Sequence, residues 1–247
     1  MADRPWVVVP CYNEAERLDE QGFQPLFDVA DVLFVDDGST DTTLGLLQGM
    51  AARHPHARVL ALERNHGKAG AVRAGLQHAM AEGAEVVGYL DADLATSAPE
   101  AVRLLDTLRS TGAHAVFGAR VRLLGRPIER PHLRHWLGRS FATAASLILR
   151  MPVYDTQCGA KWFRADPTLQ AALATPFRAR WAFDVELCGR LLVPTPGVEP
   201  WPVDAFIEVP LKAWTEVEGS KVTRRAFARA GIDLVVIAAA LARRRAR

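Results

Sequence analysis

Five short, mostly valine-rich apolar runs separated by helical patterns constrain this chain most. They are Trp6–Val9, Val32–Val35, Val59–Leu62, Val86–Leu90 and Ala115–Gly118. Runs this short, apolar throughout rather than alternating, suit strands of a parallel sheet buried on both faces. Between them Thr42–Arg53 follows Asp41 as a cap, Lys68–Glu82 follows a glycine turn, and Pro99–Ser110 opens with proline behind Ser97. The strand–helix alternation predicts a doubly wound α/β layer with right-handed crossovers. Ligands of such sheets sit beyond the carboxyl ends of the strands. Four polar clusters fall there: Asn13-Glu14, Asp36-Asp37, Asn65-His66-Gly67-Lys68 and Asp91-Ala92-Asp93.

The last third reads differently. Helices are expected over Leu133–Arg150, stopped by Pro152, over Trp181–Leu192 and over Arg224–Ala246, with a strand at Phe206–Val209. Four prolines between Pro194 and Pro202 make a loop. Without a linker, repeat or low-complexity segment, one domain spans 1–247. At 49% hydrophobic and 23% charged residues, 247 residues can bury a core without disulfides. Three unevenly spaced cysteines, Cys11, Cys158 and Cys188, argue against a disulfide framework or zinc site and fit a reducing compartment. A strand starting almost at the N-terminus leaves no room for a signal peptide, so a cytoplasmic location is expected.

A net charge of +2 is too small to imply nucleic acid. It is unevenly spread: residues 218–247 hold eight Lys/Arg against two Asp/Glu, and Arg120–Arg139 hold six Arg against one Glu. The longest apolar run, Leu234–Ala242, would reach about 14 Å as a helix, against about 30 Å of bilayer hydrocarbon. A segment Ala226–Ala242 ending in Arg243-Arg244-Arg245 suits either the membrane interface or ordinary packing with a charged tail.

The clusters suggest chemistry. Two acids at i and i+2 can both face a hard cation if the backbone turns out of the strand after Leu90, although an Asp-x-Asp pair also serves as a plain helix cap. Asp36 and Asp37 directly after Val-Leu-Phe-Val can accept hydrogen bonds from a base or ribose. Lys68 with Asn65 at a helix start suits an anion, or is a surface residue. Pro10, Tyr12, Asn13 and Glu14 form a possible base-contacting segment. Cys11 reads as packing.

The order Val-Val-Val-Pro-Cys-Tyr-Asn-Glu, Val-Asp-Asp-Gly-Ser-Thr-Asp, Asn-His-Gly-Lys and Asp-Ala-Asp resembles the inverting family-2 glycosyltransferases with the GT-A fold. Three later stretches, Asp155–Phe163, Arg180–Leu187 and Trp214–Lys221, resemble the dolichyl-phosphate β-glucosyltransferase branch and, more loosely, dolichol-phosphate mannose synthases. The resemblance covers about residues 5 to 235. It implies a Rossmann-like, mostly parallel sheet flanked by helices, with a nucleotide-sugar part at about 5–120, an acceptor part at about 121–225 and an amphipathic helix at about 224–246.

The resemblance also implies roles. Asp36 and Pro10–Glu14 would hold the nucleotide, Asp91 and Ala92 would lie near the ribose or donor phosphate, Asp93 would bind Mg²⁺ or Mn²⁺ with Asp91, and Lys221 would lie near phosphate. Arg120, Arg134 and Arg139 are candidates for the acceptor phosphate. Asp184 stands where many family members carry their catalytic acid, or is a buried structural group. The expected donor is UDP-glucose, with GDP-mannose the other option, and the expected acceptor is polyprenyl phosphate, met at the inner face of the cell membrane. The alternatives are a soluble acceptor, such as a metabolite or natural-product intermediate, and a non-catalytic nucleotide-sugar-binding protein.

Overall fold

The computed structural model describes residues 4–121, 132–215 and 224–245, the side chains of 132–137 and 224–228 excepted. In chain order it contains β1 (Trp6–Cys11), α1 (Gln24–Phe27), β2 (Asp31–Asp36), α2 (Thr43–Arg53), β3 (Ala57–Ala61), α3 (Gly67–Ala81), β4 (Val86–Leu90), α4 (Ala98–Ser110) and β5 (Ala115–Ala119). There follow α5 (His132–Leu149), β6 (Ala160–Arg164), α6 (Pro167–Leu173), α7 (Phe183–Leu192), β7 (Phe206–Pro210) and α8 (Arg224–Arg245).

All seven strands join one sheet in the order β3-β2-β1-β4-β6-β5-β7. β1, β2, β3 and β4 are mutually parallel, and β5 pairs parallel with β7. β6 alone runs antiparallel, between β4 and β5. The mostly parallel sheet expected of the sequence is the one observed, with β6 its antiparallel member. The sequence reading does not anticipate α1, β6 or α6: α1 and α6 are helices of only four and seven residues, and Lys161 interrupts the apolar pattern of β6. The start of α6 was nevertheless written in the chain, as Asp166 before Pro167, with Asp166 Oδ1 accepting from the backbone N–H of Leu169 (2.8 Å).

Burial on both faces explains the unbroken apolar runs. Val8 of β1 and Leu33 and Val35 of β2 pack with α3, α5, α7 and α8, whereas Val7, Val9, Val32 and Phe34 pack with α1, α2 and α4. α5 ends one residue earlier than expected. Arg150 adopts a left-handed conformation (φ +57°), and Pro152 prevents continuation. Among the described residues no helix is long and apolar enough to cross a membrane.

Candidate active site

Because β1 to β5, except the later insertion β6, point the same way, their carboxyl ends share one edge. That edge gathers the four polar clusters and adds Arg120 directly after β5.

The loops after β1 and β2 are laced together. Asn13, in the left-handed region (φ +53°), donates its N–H to Ser39 Oγ (3.1 Å), and its Oδ1 accepts from Thr40 N–H (2.8 Å). Glu14 N–H donates to Thr43 Oγ1 (2.8 Å). Gly38 (φ +66°) makes the turn, where a Cβ would lie 2.7 Å from the backbone of Arg64. Asp37 Oδ1 accepts from His66 N–H (2.7 Å), and Asn65 Oδ1 accepts from Gly67 N–H (3.0 Å). Asn13, Asp37 and Asn65, expected at the nucleotide, each give one side-chain oxygen to loop backbone, because irregular loops leave N–H groups that need partners. Asp36 differs. It is buried, Oδ2 accepts from Ser39 N–H (3.2 Å), and Oδ1 is buried with no hydrogen-bond partner. Tyr12, one residue beyond the Cys11 that pairs with Asp36 across β1 and β2, is exposed, and Pro10 is held within β1.

At the end of β4 the backbone turns out of the strand: Leu94 N–H donates to Asp91 O (3.2 Å), with Leu94 left-handed (φ +51°). Asp91 pairs with Lys68 Nζ at 2.6 Å, and its N–H donates to Gly159 O (2.9 Å). Ala92 is buried. Asp93 Oδ1 accepts from Ala95 N–H (3.1 Å), and no donor of the described residues meets Oδ2. Glu14 pairs with Arg17 (2.8 Å).

Burial and then the Asp91 charge raise the Asp93 carboxyl above the usual range, against the pull of Ala95 N–H and Lys68. Burial likewise raises Glu14; Arg17 opposes it, and Asp93 and Asp91 add to it. For Lys68, burial acts downward, but Asp91, Asp184 and Asp93 outweigh it and raise the ammonium. Glu14, Asp91 and Asp93 thus act on one another through their charge. Among the described residues no group of three or more His, Cys, Asp or Glu forms a complete metal cage. One or two carboxylates with an open oxygen nonetheless fit Mg²⁺ or Mn²⁺, which complete their shell with water and phosphate oxygens.

Asp184 is not open to an acceptor. It is buried at the start of α7, accepts a hydrogen bond from the Tyr89 hydroxyl and pairs with Lys161 Nζ (2.7 Å). Lys161, 1% exposed, also donates to Cys158 O (2.5 Å). The expected catalytic acid is therefore half of a buried ion pair, since a charge at this depth must be paired. All three cysteines are buried, with their thiols pushed up chiefly by that burial, consistent with packing roles.

On the β5 side, Arg120 Nε and Nη2 grip Asp155 Oδ2 and Oδ1 (2.6 and 2.8 Å), and its guanidinium lies 5.6 Å from the Trp214 ring centroid. Burial works against the Arg120 charge, but Asp155 outweighs it and raises the group. Arg139 lies over the Tyr154 ring at 4.1 Å, with Nη1 buried and lacking a hydrogen-bond partner. The Arg134 side chain and all of Lys221 lie outside the described residues. Asp155, Lys161 and Gly159 stand out in the sequence only as parts of a motif, and Tyr89 does not stand out at all. The one available signal was a lysine inside an otherwise apolar stretch.

The family profile of glycosyl transferase family 2 matches residues 6–169. The chain belongs to this family. A dolichyl-phosphate β-glucosyltransferase of Trichomonas vaginalis is 33% identical over 94% of this family-2 chain and 69% of its own length. Among solved structures, glucosyl-3-phosphoglycerate synthase of Mycobacterium tuberculosis, in complex with phosphoglyceric acid, superposes with a TM-score of 0.68 at 20% identity, over 96% of this chain and 81% of its own. A mannosyltransferase of Pyrobaculum calidifontis, in complex with GDP-Man and Mn²⁺, superposes with a TM-score of 0.60 at 20% identity, over 98% and 65%. The GT-A architecture expected of this glycosyltransferase is thus the one it has.

Proposed function

We propose that this glycosyltransferase moves glucose from UDP-glucose onto a polyprenyl phosphate of the dolichyl type, with inversion at the anomeric carbon. The observation that carries the reading is Asp93, a carboxylate at the end of β4 with one oxygen free of protein donors, beside the Lys68–Asp91 pair. The T. vaginalis relative, by its name, supports both the sugar and the acceptor. GDP-mannose is the competing donor.

In this reading residues 5–120 bind the donor. Asp36 accepts from the base or ribose through its unpaired oxygen, and the Tyr12 ring flanks the base. Asp93 and Asp91 are the residues that would hold Mg²⁺ or Mn²⁺, which when bound neutralises charge on a departing diphosphate. Lys68 and Lys221 add positive charge for the donor phosphates. A polyprenyl phosphate is already ionised and needs no general base, which agrees with an Asp184 engaged by Lys161 and Tyr89. It does need cations to bring two phosphates together, and Arg120, Arg134 and Arg139 supply them.

A lipid acceptor calls for membrane contact. On α8, Ala230, Leu234, Ile237 and Leu241 pack into the core, while Ile232 (63%) and Val235 (69%) are exposed between the exposed Arg229 and Arg243. An apolar stripe ending in arginines suits the interface of an anionic bilayer. We read the protein as cytoplasmic and peripheral at the inner membrane face.

The test is nucleoside diphosphate release by purified protein with UDP- and GDP-sugars, Mg²⁺ or Mn²⁺, and polyprenyl phosphate. The expected result is turnover with UDP-glucose that requires both metal and lipid phosphate. Turnover with water-soluble acceptors alone would refute the lipid acceptor, and nucleotide binding without turnover would refute catalysis.

A further inference from the structure

The two described arginines of the β5 side converge on consecutive residues, Tyr154 and Asp155. Both backbone amides of that turn are held by one carboxylate. The backbone N–H of Tyr154 donates to Glu208 Oε2 (2.6 Å), and that of Asp155 donates to Glu208 Oε1 (2.8 Å). Glu208 stands on β7, opposite Phe117 of β5, so a sheet strand carries the carboxylate. Asp155 then takes the N–H and guanidinium of Arg120, with Gln157 N–H on the same carboxylate (3.1 Å), and the Tyr154 ring underlies Arg139.

We propose that Glu208 is a positioning residue for the acceptor phosphate: by holding both amides of the Tyr154–Asp155 turn, it sets Arg120 and Arg139 at one spacing. This rests on the assignment of those arginines to the acceptor in the preceding reading. A carboxylate suits the task because its two oxygens accept two adjacent N–H groups at once, and charge-assisted bonds of this kind are short and strong. Glutamine cannot replace it, since its second atom is a donor aimed at a donor. Burial is the main force raising the Glu208 carboxyl; the Tyr154 and Asp155 amides lower it, the Asp155 charge raises it again, and the Lys161 ammonium lowers it. Protonating Glu208 removes one acceptor and slackens the turn.

The experiment compares Glu208→Gln and Glu208→Asp with the parent in two assays. Kinetics should give Glu208→Gln an acceptor KM raised about tenfold, or about 1.4 kcal/mol, with kcat and donor KM within twofold. The parent's acceptor KM should rise on acidification, and this pH dependence should flatten in Glu208→Gln. Glu208→Asp, which keeps two oxygens, should recover part of the loss. Phenylglyoxal labelling read by mass spectrometry should find Arg120 and Arg139 several-fold more reactive in Glu208→Gln, with Arg103, paired to Glu100, unchanged. Labelling needs no turnover. If the parent fails to use polyprenyl phosphate while both arginines are unmasked, the acceptor reading fails and the positioning role stands. Unchanged labelling, or a fall in kcat with acceptor KM intact, overturns the inference.

Discussion

A single methyl group at Gly159 offers the sharpest test of the β4 edge. A Cβ built there falls inside contact distance of Asp91 Oδ2 and Cγ, and within 2.9 Å of Oδ1. Non-bonded atoms rest at about 3.5 Å. The Asp91 carboxylate must therefore retreat by about 1 Å, and it is too short to fold away, being pinned through its own N–H to Gly159 O and through Lys68 Nζ. Displacements of this size at a reacting centre cost about a hundredfold in rate, or about 2.7 kcal/mol in barrier. The stability cost is of similar size and well below the about 5–15 kcal/mol of a typical folded chain. The Lys68 and Asp91 side chains are 41% and 30% exposed, so losing their pair costs at most about 1 kcal/mol. Overpacking adds about 1–3 kcal/mol. Gly159→Ala should thus stay folded at 25 °C while kcat/KM for nucleoside diphosphate release falls about a hundredfold. Gly112→Ala, whose Cβ meets nothing within 4 Å, is the control. A Gly159→Ala enzyme within about threefold of the parent, with an unchanged melting curve, would refute the claim that the Asp91 position matters.

Three further outcomes follow from the electrostatics. Asp93→Asn should lower metal-dependent turnover at least about a hundredfold. Because the folded-state pKa of Asp93 is raised, its favourable contribution to folding is present at low pH and lost as pH rises through that value, so Asp93→Asn should raise the metal-free Tm at pH 7 and not at acidic pH. Mn²⁺ affinity, followed by electron paramagnetic resonance, should fall with acidification above the usual aspartate range of about 3.9. Asp91→Asn should move that limb only part of the way down, since burial is the larger cause. Lys161→Met should cost about 3–5 kcal/mol in thermal unfolding by stranding Asp184 in the core, and Lys161→Met with Asp184→Asn should recover much of it; strictly additive losses would contradict the buried pair.

Local signals carried much of the fold. β1, β2, β4 and β5 are legible because burial on two faces demands apolar runs, the half-buried edge strands β3 and β7 by shorter apolar stretches, and α2 to α5, α7 and α8 because caps, prolines and glycines punctuate them. The edge bearing Asp36, Lys68, Asp91 and Asp93 is legible for the same reason, since parallel strands bring their ends together. β6 was not, because Lys161 reads as a surface residue until its partner is known.

The chain's order of strands and polar clusters was enough to locate the sheet edge where the polar clusters gather and to name the acids there. Tertiary structure alone decided which of those side chains remain available. Asp184 lies 23 residues from Lys161, and Arg120 lies 35 from Asp155. Likewise Asp37 meets His66 across 29. Nothing periodic links such pairs. They form because a charge or N–H removed from water must find a partner wherever the fold brings one near, and which groups are left over, Asp36 Oδ1, Asp93 Oδ2 and Arg139 Nη1 among them, is known only once every other bond has been made.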